Sequence, residues 1–395
     1  MYYIPFVGFA SLQMYSRHSG KRSNLQPVLN TMPAIVYYID PFLADHLTHE
    51  QERLSNALGD LAASLPGYEH YILSFFPQLE ITADEHLQLL RLTVPKFSIR
   101  NPARNKARAF AEWLGSRRDV LMLQFSAADW LETAGIRTLL ISSADEMLSA
   151  AARKTGWTTA SALIVPYEQD RLGLLEKMPA LVNQVTVVFP ALEEKVESLG
   201  WAGQEQVKLK YSGGRDYLLY VGPLSEEAGI VHLMKAYSLF KSWLLTGMPL
   251  VLTGYPTEDS PHLEKLIATY KYKNDVLLYP EADTIDQQDL VAGAYMLVYP
   301  KATGYQHPIE WAFSAGTAVV AVNDLRVREW TGSAVEGVDA ADINLLANSM
   351  MVLYKDEETR SRLVEKGREQ AEKLSRYNTL AAYAAVIQQL LPENG

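Results

Sequence analysis

Two glycines that follow apolar runs could bring backbone amides close to an anion. Gly222 directly follows the run Tyr217–Val221, and Gly304 lies shortly after another such run. Because glycine has no side chain, the backbone at such a point can approach a diphosphate closely. The segment from Gly304 to Pro308 leads into a helix that we expect to begin near Ile309, with its free N–H groups and dipole facing the anion. For either glycine alone, a plain turn between strand and helix is the alternative interpretation.

Short β-branched or aromatic runs alternate with helix-length amphipathic segments along almost the whole chain. Runs that are apolar on both faces are typical of buried parallel strands. The predicted strands are Ala34–Ile39, His70–Phe75, Leu89–Val94, Val120–Phe125, Thr138–Ile141, Ala162–Val165, Val185–Phe189, Tyr217–Val221, Leu250–Thr253, Val276–Tyr279, Tyr295–Tyr299 and Ala318–Val322. This rhythm predicts an α/β fold with doubly wound parallel sheets, whose ligands bind outside the carboxyl ends of the strands.

The chain is long for a single hydrophobic core, since it has 395 residues, and we therefore expect two domains. Glycines and polar residues cluster between Leu199 and Asp216, which favours a flexible connector there. The expected domains are residues 1–205 and 206–375. Two such sheets side by side would leave a cleft between their strand ends, where ligands of α/β proteins bind.

Composition excludes several classes of protein. The net charge of −10 argues against a general nucleic-acid binder, which needs a surplus of Lys and Arg. The absence of cysteine excludes a disulfide scaffold, a cysteine nucleophile and a thiolate metal site, and fits a reducing cytoplasm. No apolar run reaches the ~18–20 residues that a membrane-spanning helix needs. We expect a cytoplasmic protein.

Four motifs of the second half occur in an order that resembles one known family. They are Tyr217–Ile230, Pro249–Tyr255, Asp275–Pro280 with Leu290–Pro300, and Gly304–Ala321. In this order they resemble the group 1 (family four) retaining glycosyltransferases, which have the GT-B fold. The resemblance implies two Rossmann-like domains facing a central cleft, with the acceptor domain first and the nucleotide-sugar domain second. It also implies that the last helix crosses back, so that residues 376–395 pack on the first domain.

The sequence departs from the family where charged residues are usual. The family has an arginine directly after its first glycine and a lysine five residues later, where this chain has Pro223 and Ala228. Neither can donate a charge-assisted hydrogen bond to phosphate. The family's two glutamates, eight positions apart, fall on Thr303 and Trp311, and Glu310 stands one residue before the second position. On a helix that offset is a rotation of about 100°.

The resemblance implies roles for six candidate binding residues. Gly222, Gly304 and Tyr305 would contact the donor diphosphate through their backbones. Gly254 and Tyr255 would border the nucleotide, and Glu310 would bind the ribose. The catalytic residue is unknown, and the candidates are Glu310 and His307. His307 is either an exposed loop imidazole or a hydrogen-bonding group whose charge partly replaces the missing cations. Lys301 is likewise either a solvated side chain or a charged group of the donor site.

The resemblance also implies that neither a metal nor a cofactor is needed. Helix N-termini and basic side chains stabilise the leaving diphosphate in such enzymes. The chain shows no Asp-x-Asp motif placed after a strand in the manner of a Mg²⁺ or Mn²⁺ site. The expected ligands are the nucleotide-sugar, as donor substrate, and a glycan or lipid-linked acceptor.

The segment Lys96–Arg118 is strongly basic although the protein is acidic. It contains seven Lys and Arg residues and the single acid Glu112, with an apolar face formed by Phe110, Trp113 and Leu114. A basic amphipathic segment can dock on anionic lipid, as in membrane-associated glycosyltransferases, and would then place the protein at the inner membrane face. The alternative is a solvated helix on the domain surface.

Two functions from different classes follow. The first is a metal-independent hexosyltransferase of polysaccharide biosynthesis. The second is a degenerate relative that binds a partner subunit, a glycan or a nucleotide without transferring sugar, because Pro223, Ala228, Thr303 and Trp311 replace the charged residues. A sugar-nucleotide epimerase or a binding protein of similar architecture is a third interpretation.

Overall fold

The computed structural model describes most of the chain and divides into two compact units. The described residues are 32–39, 57–75, 86–94, 102–115, 117, 119–125, 136–142, 147–148, 160–191, 195–280, 282–302, 307–339 and 342–391. The first unit comprises Met1–Ala191 and Arg376–Gly395, and the second comprises Leu192–Ser375.

The described elements are parallel strands with helices between them. The strands are β1 (Ala34–Tyr38), β2 (Glu69–Ser74), β3 (Gln88–Arg91), β4 (Val120–Gln124), β5 (Arg137–Ile141), β6 (Ala162–Val165), β7 (Val185–Val187), β8 (Leu218–Val221), β9 (Leu250–Thr253), β10 (Val276–Tyr279), β11 (Met296–Tyr299), β12 (Ala318–Val322) and β13 (Glu336–Val338). The helices are α1 (Pro102–Leu114), α2 (Glu168–Lys177), α3 (Trp201–Ser212), α4 (Ile230–Leu244), α5 (Ser260–Thr269), α6 (Thr284–Gly293), α7 (His307–Ala315), α8 (Leu325–Thr331), α9 (Ile343–Lys355), α10 (Glu357–Lys373) and α11 (Arg376–Leu390). Residues 57–64 are also helical.

Each unit contains one parallel sheet that is wound in both directions. The first sheet has the order β3-β2-β1-β4-β5-β6-β7, and the second has the order β10-β9-β8-β11-β12-β13. In the first sheet the strand order reverses between β1 and β4, and in the second between β8 and β11. Ligands of such sheets bind at the carboxyl ends of the strands beside the reversal, which is called the switch point.

The last helix of the chain completes the core of the first unit. Tyr383 and Ile387 of α11 are fully buried against Ile35 and Tyr37 of β1. The Tyr68 hydroxyl donates a hydrogen bond to the Leu391 carbonyl oxygen at 2.6 Å, which fixes the end of this helix. Residues from the two ends of the chain therefore share one hydrophobic core.

The core of the second unit is bordered by one charged cluster. Lys241 is almost fully buried and lies 2.9 Å from the Asp275 carboxylate, which Arg215 approaches at 3.0 Å from the solvent side. Burial by itself would raise the pKa of Asp275, but the hydrogen bonds from the two cations lower it below its usual value. The Asp275 carboxylate thus provides a partner for the buried Lys241 side chain.

The predicted strands are all present, each within a few residues of its expected bounds. The short strand β13 was not predicted, because three residues that include Gly337 show no β pattern. The prediction of a flexible connector between Leu199 and Asp216 is wrong, because α3 occupies most of that segment. Gly213 adopts a left-handed conformation at φ 63° and ends that helix. Gly200 and Gly213 lie at the two ends of this helix, and the boundary between the units lies earlier, at Ala191 and Leu192.

A buried histidine connects β1 and β2. His70 is 3% exposed, and its ring accepts one hydrogen bond and donates another. Because the Leu65 carbonyl oxygen, 2.9 Å from Nε2, can only accept, Nε2 carries the proton, and Nδ1 accepts from the Tyr37 hydroxyl at 2.9 Å. Burial lowers the pKa of His70 below its usual value. The neutral ring is therefore the form that the fold requires.

We predict that this histidine makes the first unit sensitive to acid. The unfolded chain binds a proton at His70 near pH 6.5, whereas the folded chain binds it only at lower pH, so the free energy of unfolding falls as the pH drops below 6.5. The variant His70→Gln should be less stable at pH 7.5 by about 1–3 kcal/mol, because one polar partner is lost. It should also show a weaker loss of stability between pH 7.5 and 5.5.

Urea unfolding at the two pH values measures both effects. His232→Gln is the matched control, because His232 is exposed. An unchanged pH dependence in His70→Gln would show that another group is responsible.

Candidate functional site

The switch point of the second sheet brings the ends of β8 and β11 together. β8 pairs with β9 on one side and with β11 on the other. The segment from Gly222 to Gly229 leaves β8 at this edge, and Pro300 and Lys301 leave β11 there. The motifs found at Gly222 and after Tyr299 are therefore neighbours in space, as the parallel order predicts.

Gly222 and Gly254 contact each other through their backbones. The ladder between β8 and β9 continues past the strands, since the Gly222 N–H donates to the Thr253 carbonyl oxygen at 3.1 Å. The Leu224 N–H likewise donates to the Tyr255 carbonyl oxygen at 3.0 Å. Gly254 has φ 135°, and a Cβ there would lie 1.9 Å from the Gly222 carbonyl oxygen. Only glycine allows this approach.

Contacts within the protein also explain why residue 222 is a glycine. A Cβ at Gly222 would lie 2.8 Å from the Tyr220 hydroxyl, which donates to the Pro223 carbonyl oxygen at 2.8 Å. From the sequence we expected this glycine to make room for a diphosphate. In the structure its N–H is already paired with Thr253, so a ligand would meet a later part of the loop.

That later part is the start of α4. Ser225 Oγ accepts from the Ala228 N–H at 3.2 Å before the helix, which begins only at Ile230. Gly229 occupies the N-cap position with φ 84° and offers no side chain to the first-turn N–H groups. The N-cap residue therefore provides no side-chain acceptor at the positive end of the α4 dipole. The signal in the sequence was a glycine directly before the apolar stripe, since glycine is also an accepted N-cap.

Lys301 lies beside this helix start. A Cβ at Gly229 would lie 3.3 Å from Pro300 and 3.4 Å from the Lys301 Cβ, so the two loops touch across the switch point. The Lys301 side chain is exposed. Pro223 is partly buried and Ala228 is 2% exposed, and neither provides a charge. The structure thus places one cation and one uncapped helix N-terminus together, which suits an anion.

Helix α7 carries the other candidates. It begins at His307, earlier than the expected start near Ile309. His307 lies in the first helical turn with 24% of its side chain exposed, so it is not an exposed loop imidazole. Its Nδ1 lies 3.4 Å from the Glu310 carboxylate, and its ring stacks on Trp311 at 6.2 Å between centroids. Glu310 is 6% exposed, and this helix turn therefore pairs a buried carboxylate with an imidazole.

Tight packing holds α7 in place. Gly316 ends the helix at φ 84°, and a Cβ there would lie 2.5 Å from the Arg368 guanidinium. Ser314 Oγ accepts from the Val196 N–H at 3.1 Å on the opposite side. Trp311, at the position of the family's second glutamate, is 4% exposed and fills the core. Glu310 lies one residue earlier on the helix.

Some predicted site residues cannot be placed. Thr303, Gly304 and Tyr305 lie outside the described residues. Tyr255, beside Gly254, is 40% exposed and borders the same edge of the sheet. The described site therefore consists of the two backbone glycines, the α4 start, Lys301 and the first turn of α7.

The basic segment of the first unit uses its apolar face internally. Phe110 of α1 is fully buried, and Trp113 packs beside it at 5.4 Å between ring centroids. The Arg117 guanidinium lies 5.0 Å from the Trp113 ring and pairs with Glu69 at 2.8 Å. Lys96, Arg100 and Arg118 lie outside the described residues. Phe110 is thus not available to lipid, and Trp113 and Leu114 are only partly exposed.

Comparison with known proteins agrees with the geometry of the second unit. Residues 203–370 match the sequence pattern of the family described as Glycosyl transferases group 1. The predicted resemblance to this family is confirmed. O-antigen chain mannosyltransferase B of Escherichia coli is 27% identical over 172 residues, which are 42% of this chain and 45% of that protein. The match thus spans less than half the length of this relative.

Solved structures show that the likeness in fold includes the first unit. A glycosyltransferase from Rickettsia africae ESF-5 has a TM-score of 0.66 and 14% identity, with 92% of this chain and 100% of that chain covered. HepE of Anabaena, in complex with UDP and glucose, has a TM-score of 0.61 and 12% identity, with coverage of 90% and 100%. The predicted fold class, two Rossmann-like units as in GT-B glycosyltransferases, is confirmed. None of the helices in the described part of the chain has the length and apolar character needed to span a bilayer.

We predict that the contact between the two glycines controls the stability of the second unit. Gly254→Ala places a Cβ against the Gly222 carbonyl oxygen at a φ that alanine rarely adopts, so it should lower the free energy of unfolding by about 3 kcal/mol or more. Urea unfolding measures this loss. Gly247→Ala is the control, because a Cβ there meets nothing within 4 Å, and its effect should stay within about 0.5 kcal/mol. Equal stability of the two variants would refute the argument.

Proposed function

We propose that this protein is a glycosyltransferase that moves a hexose from a nucleoside diphosphate sugar to a glycan or lipid-linked acceptor. The observation that carries the proposal is the match of residues 203–370 to the group 1 glycosyltransferases, because it spans the loops at the switch point. The relative named O-antigen chain mannosyltransferase B supports mannose as the sugar and a polysaccharide as the product. These comparisons favour transfer over a degenerate binding protein.

In this proposal the start of α4 and Lys301 bind the donor diphosphate. Negative charge grows on the diphosphate as the bond to the sugar breaks, and first-turn N–H groups and an ammonium group stabilise that charge. Lys301 leaves β11 beside Gly229, so a cation from the neighbouring strand replaces those absent at Pro223 and Ala228. Gly304 and Tyr305 follow closely in sequence and would extend the same anion site. The diphosphate is neutralised by the chain itself, and the reaction needs neither metal nor cofactor.

The first turn of α7 binds the ribose in this proposal. Glu310 is buried and acid groups in such positions accept hydrogen bonds from sugar hydroxyls. His307, 3.4 Å from the Glu310 carboxylate and stacked on Trp311, fixes its orientation. Tyr255, exposed beside Gly254, borders the nucleotide base.

Thermal unfolding with UDP, GDP and ADP tests the donor site. We expect one of the three to raise the melting temperature and so to identify the base. Lys301→Met should weaken binding of that nucleotide at least tenfold, because one charge-assisted contact is lost, whereas Lys301→Arg should keep most of it. Glu310→Gln should also weaken binding of that nucleotide. The loss of affinity should be smaller for an analogue that lacks the ribose hydroxyls.

Lys265→Met is the matched control, because Lys265 is an exposed lysine on α5 of the same unit. If no nucleotide raises the melting temperature, the transferase proposal fails and the degenerate alternative gains support. If Lys301→Met and Lys265→Met bind equally well, the diphosphate lies elsewhere.

The proposal includes a peripheral membrane contact through Lys96–Arg118. Because Phe110 is buried, this contact uses charge rather than apolar insertion, with the exposed Arg104 and Arg108 on the outer side of α1. A contact of this kind would bring the protein to the anionic inner face of a membrane, where a lipid-linked acceptor is available.

Liposome flotation tests the contact. We expect the protein to float with phosphatidylglycerol-containing vesicles at low salt, to be released at about 0.5 M salt because charges are screened, and to ignore neutral vesicles. The double variant Arg104→Gln with Arg108→Gln should bind less. Absence of flotation at low salt would leave α1 as a plain surface helix, and binding that resists salt would indicate an apolar contact instead.

A further inference from the structure

The second sheet ends at β10, and no described strand pairs with the outer edge of that strand. β10 pairs with β9 on its inner side and stands first in the order of the sheet. Its outer backbone N–H and C=O groups therefore have no strand partner among the described residues of the second unit. Such an edge is a template for pairing with another chain. The proposed donor site lies at the ends of β8 and β11 and leaves this edge unused.

The side chains of β10 are less buried than those of the inner strands. Every residue of β8, β9 and β11 is buried. In β10 only Val276 is buried, whereas Leu277, Leu278 and Tyr279 are partly exposed. Ile285, in the first turn of the helix that follows β10, is 69% exposed. The edge therefore carries apolar surface that pairing with a further strand would remove from water.

The two ends of this edge carry opposite charges. Lys271 and Lys273 shortly precede β10, and both are exposed. Asp283 shortly follows the strand as the N-cap of α6, and it is also exposed. A positive group thus stands at the amino end of the edge and a negative group at the carboxyl end.

The other described charged side chains close to β10 in sequence do not cancel this difference, because they are already paired. At the amino end, Asp275 is 2.9 Å from Lys241 and 3.0 Å from Arg215. At the carboxyl end, Asp286 is 2.7 Å from Lys210. The two exposed lysines and the exposed aspartate therefore determine what charge a partner meets at each end.

An antiparallel copy of the same strand matches this distribution. A two-fold axis through the middle of β10 places the amino end of each strand opposite the carboxyl end of the other, so that Lys271 and Lys273 of each copy meet Asp283 of the other. A parallel arrangement would bring like charges together. Charges of one sign along an edge prevent pairing, whereas opposite charges at its two ends permit one orientation and disfavour the other.

We propose that β10 is the contact surface for a second copy of this chain, and that two β10 strands pair antiparallel in a symmetric dimer. The six-stranded sheets of the two copies then form one continuous sheet. Pairing uses the β10 edge of both copies, so the contact closes at two copies and does not extend into a filament. This assembly is independent of the proposed transfer.

Sedimentation velocity measures the assembly of the full chain. We expect a species of twice the mass of the chain, with a dissociation constant on the order of micromolar because the strand is short. Salt at about 0.5 M should weaken the dimer, since exposed charges are screened. Hydrogen exchange of the amides of Val276–Tyr279 should slow as the dimer forms. A monomer at about 0.1 mM overturns the proposal, and a dimer without protection of these amides overturns the strand pairing.

Charge reversal at the two ends tests the orientation. The double variant Lys271→Glu with Lys273→Glu should weaken self-association at least tenfold, because glutamates then meet Asp283. Asp283→Lys should do the same, because lysines then meet lysines. An equimolar mixture of the two variants should form a dimer again, since each charge then meets its opposite at both ends of the contact. Asp283→Asn, which keeps a good N-cap residue, should weaken the dimer less than Asp283→Lys.

Lys235→Glu with Lys355→Glu is the matched control, because both lysines are exposed, on α4 and α9 of the same unit. It changes the net charge by the same amount and should dimerise like the wild type. If the control and the Lys271 and Lys273 double variant associate equally, the lysines next to β10 have no part in the contact and the proposal is overturned. A mixture that stays monomeric, although the wild type dimerises and both variants melt cooperatively, also overturns it.

Discussion

The close approach of two backbones at the carboxyl edge of the second sheet determines where the candidate site lies. Gly254, at φ 135°, brings its segment against the Gly222 carbonyl oxygen, and two hydrogen bonds continue the β8–β9 ladder beyond the strands. This fixes the loop that leads to Gly229 and hence the point at which α4 begins. The helix start in turn lies against Lys301. A steric constraint between main chains thus positions the N–H groups and the cation of the proposed diphosphate site.

The fold could be predicted from the sequence because buried parallel strands have a local signature. Runs such as Leu250–Thr253 are apolar on both faces. The helices between such strands carry apolar residues along one side, at helical spacing. Helix α3 was missed because its glycines resemble a linker, although Gly213 ends the helix. Contacts between distant segments have no local signature. The sequence therefore suggested that Gly222 makes room for a ligand, whereas in the structure a Cβ at Gly222 would meet the Tyr220 hydroxyl.

The missing cations of the family pattern illustrate the same limit. Pro223 and Ala228 indicate lost charge as long as the loop after β8 is considered alone. The switch point, however, joins that loop to the end of β11, where Lys301 stands next to Gly229. An ammonium group acts on a phosphate through distance and not through its place in the chain. Comparison of a motif position by position therefore misses a cation that the fold brings to the proposed donor site, and it also misses Glu310, which stands one residue before its expected place on α7.

The two switch points differ in the groups that they offer to a ligand. In the second unit, backbone N–H groups and a lysine border the crevice, and such groups bind any diphosphate without regard to the rest of the molecule. In the first unit, Tyr38 and Gln124 lie side by side at the ends of β1 and β4, and Lys106 Nζ donates to the Tyr38 hydroxyl. In the proposed transfer, stabilisation of the leaving group therefore depends on the second unit.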